Sequence, residues 1–217
     1  PFWESNGKAE KPAVLTPQQK QAAQLMDQAA TLVQFRAFHI AGPVLERASQ
    51  LWPTNPDILF HFGGVLLEIG RPDEALKQFD KILGIKPNWS DAHNNRSACL
   101  SRLGRTEEAI EAAERAVATG QNYAALANLC AAYSSRGDNE RAIAYGEQAV
   151  KLSEANNPMA LINYGVALRA VWRLTEAVGT QQRAIDVSKG QDYMAWSNLG
   201  AIMNLQGRNH EALASTQ

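Results

Sequence analysis

A chain of 217 residues, 45% apolar and 20% charged, is long enough for one large domain or an elongated repeat array and has the composition of an ordinary folded protein. Its formal net charge of −1, with no basic block, gives nucleic acid and anionic membrane surfaces no electrostatic footprint. The longest apolar runs break within a few positions, far short of the ~20 residues that cross a bilayer, so neither nucleic-acid binding nor membrane insertion is expected.

In chain order, residues 1–21 read as an N-terminal arm, because Pro1–Pro17 is polar and lacks periodicity. From residue 22 the apolar pattern becomes helical and begins to repeat. A degenerate first unit, 22–55, holds Leu25, Ala29, Leu32, Ala41, Leu45, Ala48 and Pro53 in register. The unit 56–89 is clearer: Leu59, Phe62, Gly63 and Leu66 form one helical stripe, and Gly70-Arg71-Pro72-Asp73 makes a turn. Ala75, Leu76, Phe79 and Ile82 then form a second stripe, and Pro87 ends the unit. The same marks return in 90–122 (Ser97, Gly104, Ala109) and 123–157 (Cys130, Gly137, Ala142). In 158–192, Gly165 and Ala177 are kept, but Trp172 stands where the turn glycine belongs. The last unit, 193–217, has Gly200, Gly207 and Ala212 and stops inside its second helix. The expectation is that the chain continues, or that another molecule covers this end.

Successive small residues (Gly63, Ser97, Cys130, Gly165, Gly200) lie 34, 33, 35 and 35 positions apart. The alanines from Ala75 to Ala212 give the same four spacings. Each unit is therefore two short antiparallel helices, with small residues where their backbones approach, and no unit can bury both stripes alone. Trp196, Leu199 and Gly200, with Met203 following, resemble the first half of the tetratricopeptide repeat motif. Phe62, Gly63, Ala75, Phe79 and Pro87 resemble most of the rest, and Leu126, Leu129 and Tyr133 do so in a third copy. The resemblance covers residues 22–217 and implies an all-α fold: a right-handed superhelix, or α-solenoid, of about five to six helix-turn-helix repeats. It also implies a concave groove lined by the first helix of each repeat.

Groove contacts must come from the face of each first helix that the framework leaves free. Two positions before the small residue stand His61, Asn95, Asn128, Asn163 and Asn198, with Asp27 in the degenerate unit. Asparagine forms helices poorly, so its recurrence asks for a cause. Its amide offers a donor and an acceptor, enough to grip a peptide unit through the main chain. The row resembles the asparagine ladder in the repeat domain of O-linked N-acetylglucosamine transferases, and by that resemblance these four residues are candidate peptide clamps. The alternative is a bond between adjacent first helices. Asn94, Arg102, Arg169 and Asn204 add polar groove positions, and Phe60, Met159, Ile162 and Met194 add apolar ones. On the ligand reading, replacing Asn128 and Asn163 by alanine weakens capture and leaves unfolding nearly unchanged.

No catalytic pattern is present in the sequence. His39, His61, His93 and His210 fall in different units and make no metal spacing, and His93 takes a framework aromatic place. Cys99 and Cys130 read as buried free thiols, which favours a reducing compartment, so a cytoplasmic location is expected. Acid pairs such as Glu107-Glu108 start second helices, where the dipole favours them. The expected function is a binding module that holds an extended segment of a partner protein, with no cofactor and no enzymatic activity. Two alternatives are the N-terminal recruiting arm of a larger enzyme such as a glycosyltransferase, and a scaffold that self-associates through its open C-terminal end.

Overall fold

The structure, a computed structural model, describes residues 15–120, 122–154 and 156–207. Eleven helices and no strand occur among these described residues. They are α1 (Pro17–Gln34), α2 (Phe38–Leu51), α3 (Pro56–Glu68), α4 (Pro72–Ile85), α5 (Ser90–Arg102) and α6 (Thr106–Thr119). Then follow α7 (Tyr123–Arg136), α8 (Asn139–Leu152), α9 (Pro158–Ala170), α10 (Leu174–Val187) and α11 (Tyr193–Leu205). Odd-numbered helices are the first of each pair. His210, Ala212 and the second helix expected after α11 lie outside the described residues.

Most first helices start behind an Asx or Thr cap. Asn55, Asn122, Asn157 and Asp192 each accept a backbone N–H of their helix's first turn, at 2.9–3.0 Å in the shortest case, and Pro56 and Pro158 follow two of them. The same device starts α1 earlier than the apolar pattern alone implies. Thr16 Oγ1 accepts from Gln19 N at 3.2 Å, Gln19 Oε1 accepts from Thr16 N at 2.9 Å, and Pro17 takes the first helical position. Residues 17–21, expected as part of the arm, are therefore helical.

Second helices start differently. Arg71, Arg105 and Arg173 precede α4, α6 and α10, and each donates two N–H groups to a glutamate three residues on, at 2.6–2.7 Å. The glutamate lies in the first turn, where the helix dipole favours a negative charge. In α8 the order is reversed, with Asp138 capping Arg141 N at 3.2 Å and accepting from Arg141 Nε at 2.6 Å. The turns before these helices use a left-handed residue: Gly70, Gly104, Gly137 and Gly207 have φ of 73–77°. Trp172 adopts φ 62° at the corresponding place and Arg36 φ 55°, conformations that strain a side-chain-bearing residue by about 1 kcal/mol or more.

The two helices of a unit cross at the recurring small residue, and the residue sixteen positions later faces it. A Cβ on Gly63 would lie 2.7 Å from the Phe79 ring, and one on Gly165 would lie 2.3 Å from Gln181 Nε2. Where the first helix carries a larger residue, the second carries a smaller one. A Cβ on Gly146 would lie 3.0 Å from Cys130 Sγ, and Ser97 is matched by Ala113, both buried. Glycine meets a large side chain in the first and last of these four crossings and small residues pair in the two between, so no crossing pairs two bulky side chains. Ala75, Ala109, Ala142 and Ala177 are all buried at 0–1% exposure, which keeps the second helix close. First helices also pack on the next first helix: α3 on α5, α5 on α7, α7 on α9 and α9 on α11. The side on which neighbours approach is the inner side of the curve, so the stack is an α-solenoid with the odd helices inside.

Two measurements probe this frame. Gly165→Ala should lower stability by about 1–3 kcal/mol in urea unfolding, because Gln181 is fully buried and its Nε2 donates to Ile162 O at 3.1 Å. Adding Gln181→Ala should recover part of that loss, whereas Gly179→Ala in α10, where a Cβ meets nothing, should raise stability by about 0.5–1 kcal/mol. Separately, bonds from Arg105 and Arg173 hold Glu108 and Glu176 below their ordinary 4.5, and the Arg141 backbone N–H holds Asp138 below its ordinary 3.8. A carboxyl depressed in the folded state stabilises fully above its unfolded value and loses that contribution as pH falls through the folded one. Urea midpoints should therefore hold steady above about pH 5 and decline below it, and Glu108→Gln with Glu176→Gln should flatten the decline.

Candidate functional site

Two registers of the first helices face the inner side. One carries His61, Asn95, Asn128, Asn163 and Asn198; the other, three positions on, carries Gly64, Ala98, Ala131, Val166 and Ala201. Long polar side chains thus alternate with short ones, and the short ones leave room. A hollow of about 540 Å³ opens over α1, α3 and α5, lined by Val33, Arg36, Phe38, Phe60, His61, Gly64, Val65, Leu67, Glu68, Asn95, Ala98 and Arg102. Farther along, about 310 Å³ opens between α7 and α9, lined by Ala131, Ser134, Ser135, Asn163 and Val166. Both hollows belong to one trough along the odd helices.

The residues named from the sequence differ in their surroundings. His61 is exposed on the trough wall, edge-on to Phe60 with ring centroids 6.1 Å apart. Phe60 stacks in turn on Trp89 at 4.9 Å and meets Phe79 edge-on at 5.9 Å, which fixes the apolar floor. The four amides are half-buried, and two of them are tied across units. Asn128 Nδ2 donates to Asn94 Oδ1 at 2.9 Å, and Asn163 Nδ2 donates to Ala127 O at 2.9 Å. Asn94 Nδ2 donates to Asn95 Oδ1 at 3.4 Å. Asn128 and Asn163 therefore bond adjacent first helices, the alternative role for such a row, while their Oδ1 atoms accept no hydrogen bond among the described residues. Asn198 is half-buried on α11 and its amide makes no bond among the described residues.

Arg102, in the last turn of α5, donates through Nη1 to Leu67 O and so ties the end of α3 to the trough wall. Arg169 is half-buried in the last turn of α9, four residues after Gly165; Leu67 and Ser134, at the same offset in their units, both line the hollows. Of the expected apolar groove residues, Met159 and Met194 are 46% and 40% exposed and Phe60 lines the larger hollow. Ile162 does not belong with them. It is 1% exposed and packs with Leu161, Ala184 and Ile185, whereas Phe60, in the same register of α3, lines the larger hollow. Asn128→Ala and Asn163→Ala cannot leave unfolding untouched, since each removes a bond between units.

Sequence reasoning passed over Arg36 and Phe38, which lie at the turn of the degenerate first unit and place a guanidinium 5.7 Å from a ring centroid. The Gly64–Ala201 row stands one position after every small residue from Gly63 on, a register that sequence reasoning assigned to the groove without naming its residues. The groups that chemistry could use elsewhere are inert. Burial pushes the Cys99 and Cys130 thiols up to about 12, far from a reactive thiolate. His93 is 6% exposed and its Nε2 meets Pro87 O at 2.8 Å, a packing role. Among the described residues no cluster of three metal-ligating side chains occurs, and no helix is long and apolar enough to cross a membrane.

Comparison with known proteins places this geometry. Profiles of the tetratricopeptide repeat match residues 32–99 in one version and residues 90–119 and 123–156 in another, together more than half of the chain. The Protein STIP1 homolog of Dictyostelium discoideum is 26% identical over 95 residues, which are 44% of this chain and 17% of that protein, so the match spans under a fifth of the relative's length. Among solved structures, PilW, a type IV pilus biogenesis factor, superimposes with a TM-score of 0.77 at 18% identity, over 89% of this chain and 90% of its own. The pilF protein of Pseudomonas aeruginosa gives 0.71 at 16% identity, over 92% and 90%. YrrB, described as a TPR protein with an unusual peptide-binding site, gives 0.57 at 20%, over 79% and 88%. At these identities the structural likeness is one of fold.

The amide row supplies its own check. Asn128→Ala should lower stability by about 1 kcal/mol in urea unfolding, the usual net worth of one hydrogen bond, while Asn198→Ala should leave the midpoint in place.

Proposed function

The chain belongs to the tetratricopeptide repeat family, whose arrays serve protein–protein interaction, and from that premise we propose that its trough holds an extended segment of a partner polypeptide. The observation that carries the reading is the pairing of the two inner registers. The short row leaves an open channel that Asn163 lines, and the Oδ1 atoms of Asn128 and Asn163 accept no hydrogen bond among the described residues, leaving them able to accept from the N–H groups of an extended main chain. Their Nδ2 atoms are already held by the preceding helix, so the acceptors are fixed in place before a ligand arrives, which lowers the entropy lost on binding. The floor of Phe60, Val65 and Leu67 offers apolar surface for a side chain at the N-terminal end of the channel. No enzymatic role is assigned to the chain itself.

A library of random dodecapeptides displayed on phage tests the proposal with the 217-residue chain immobilised. Wild type should recover defined sequence families. Gly64→Trp with Ser135→Trp, one at each hollow, should abolish recovery with melting unchanged, because a Cβ on Gly64 meets nothing within 4 Å and Ser135 is exposed. Undiminished recovery by this trough-filled variant would remove the trough as the binding surface.

A further inference from the structure

Charge is divided between the two kinds of helix. The second helices α4, α6, α8 and α10 carry eleven carboxylates, whereas the first helices α5, α7, α9 and α11 carry one, Asp91. Asp91 is already used at the joint between units, accepting from Asn122 Nδ2 at 3.0 Å. From α5 onward the trough wall therefore holds no carboxylate. At its N-terminal end Glu68 lines the larger hollow, and Asp27 occupies the amide register of α1.

Six arginines have a carboxylate at 2.6–3.0 Å: Arg71, Arg96, Arg105, Arg136, Arg141 and Arg173. Arg47, Arg115 and Arg183, on second helices, have none among the described residues. Arg36, Arg102 and Arg169, the three on the trough side, have none among the described residues. Arg36 lies over the Phe38 ring and Arg102 is held by Leu67 O, contacts that position a guanidinium without cancelling its charge. From α5 onward the described first helices thus keep no carboxylate but Asp91, and Glu68 is the one acid lining the larger hollow beside Arg36 and Arg102.

We propose that the trough recognises an acidic polypeptide segment, whose carboxylates meet Arg36, Arg102 and Arg169 while an apolar side chain enters the hollow floored by Phe60 and Val65. This assignment rests on reading the trough as a polypeptide site. Arg36 and Arg102 line one hollow, and Arg169 on α9 lies two units beyond α5. With packed helices about 10 Å apart, two units span about 20 Å, which an extended chain covers in about six residues. The acidic positions of the ligand should recur at that spacing. A nucleic-acid strand fits less well, because three isolated guanidiniums do not form a track along successive phosphates and the outer acids repel a polyanion.

The sequences recovered from the dodecapeptide library decide the point. The expected result is enrichment in Asp and Glu over the input library, spaced about six residues apart, with an apolar residue among them. Capture of such a dodecapeptide should weaken as salt rises and fall about tenfold in Arg169→Ala. Arg169 makes no side-chain hydrogen bond or ion pair among the described residues, so its loss should not disturb folding. Arg102→Glu with Arg169→Glu should shift the recovered sequences towards Lys and Arg. Recovery of neutral or basic sequences that the trough-filled variant no longer captures would overturn the acidic assignment and leave the polypeptide site standing. Failure to recover any sequence family would remove both. Tighter capture of a random single-stranded oligonucleotide than of the acidic dodecapeptide, lost in Arg169→Ala, would overturn the assignment in favour of a phosphate backbone.

Discussion

The distance of closest approach between the two helices of a hairpin governs the rest of the molecule. That distance is set at one point per unit, where a small side chain on the first helix meets the residue sixteen positions later. The second helix can come close because glycine faces Phe79 and Gln181, while serine and cysteine face alanine and glycine. If all crossings were small against small, voids would weaken the stack; if all were large, the helices would splay and the inner helices could no longer touch their neighbours. Hairpin closure, stacking of the odd helices and the open trough therefore depend on keeping at least one small residue at every crossing.

Stacking also explains the bonds that two of the asparagines make between units. An amide on an inner helix has a neighbour one unit earlier within reach of its NH₂, as Asn128 and Asn163 show. The oxygens of both accept no hydrogen bond among the described residues, so under the proposed function stability and capture would be coupled at these positions. Asn198 on α11 has no such tie, and Asn95 receives only the longer bond from Asn94 beside it.

Much of the fold could be read before any coordinates, because it depends on periodic properties. Two independent markers with matching spacings define the hairpins, and the turn glycines fix their direction. The start of α1 was also present in the sequence, as Thr16-Pro17 with Gln19, but a polar capping box has no apolar stripe to announce it. The trough was legible as a register and not as a set of bonds. Whether Asn128 reaches Asn94 depends on the axial offset between two helices 34 residues apart, which no local pattern encodes. Ile162 was misplaced because three positions before the small residue lies on the border between wall and core, and a rotation of one helix decides the matter. The Arg–Glu pairs at the second helices needed only the i, i+3 spacing and were within reach of inspection.

The matched crossings also limit how such an array can be rearranged during evolution. A breakpoint between one hairpin and the next carries each complementary pair along whole. A breakpoint inside a hairpin would join Gly63 to Ala113, leaving an empty crossing, or Ser97 to Phe79, forcing an overlap. Shuffling of segments is thereby channelled to the junctions between units, and the piece that can be inherited, duplicated or lost without penalty is the hairpin and never the single helix.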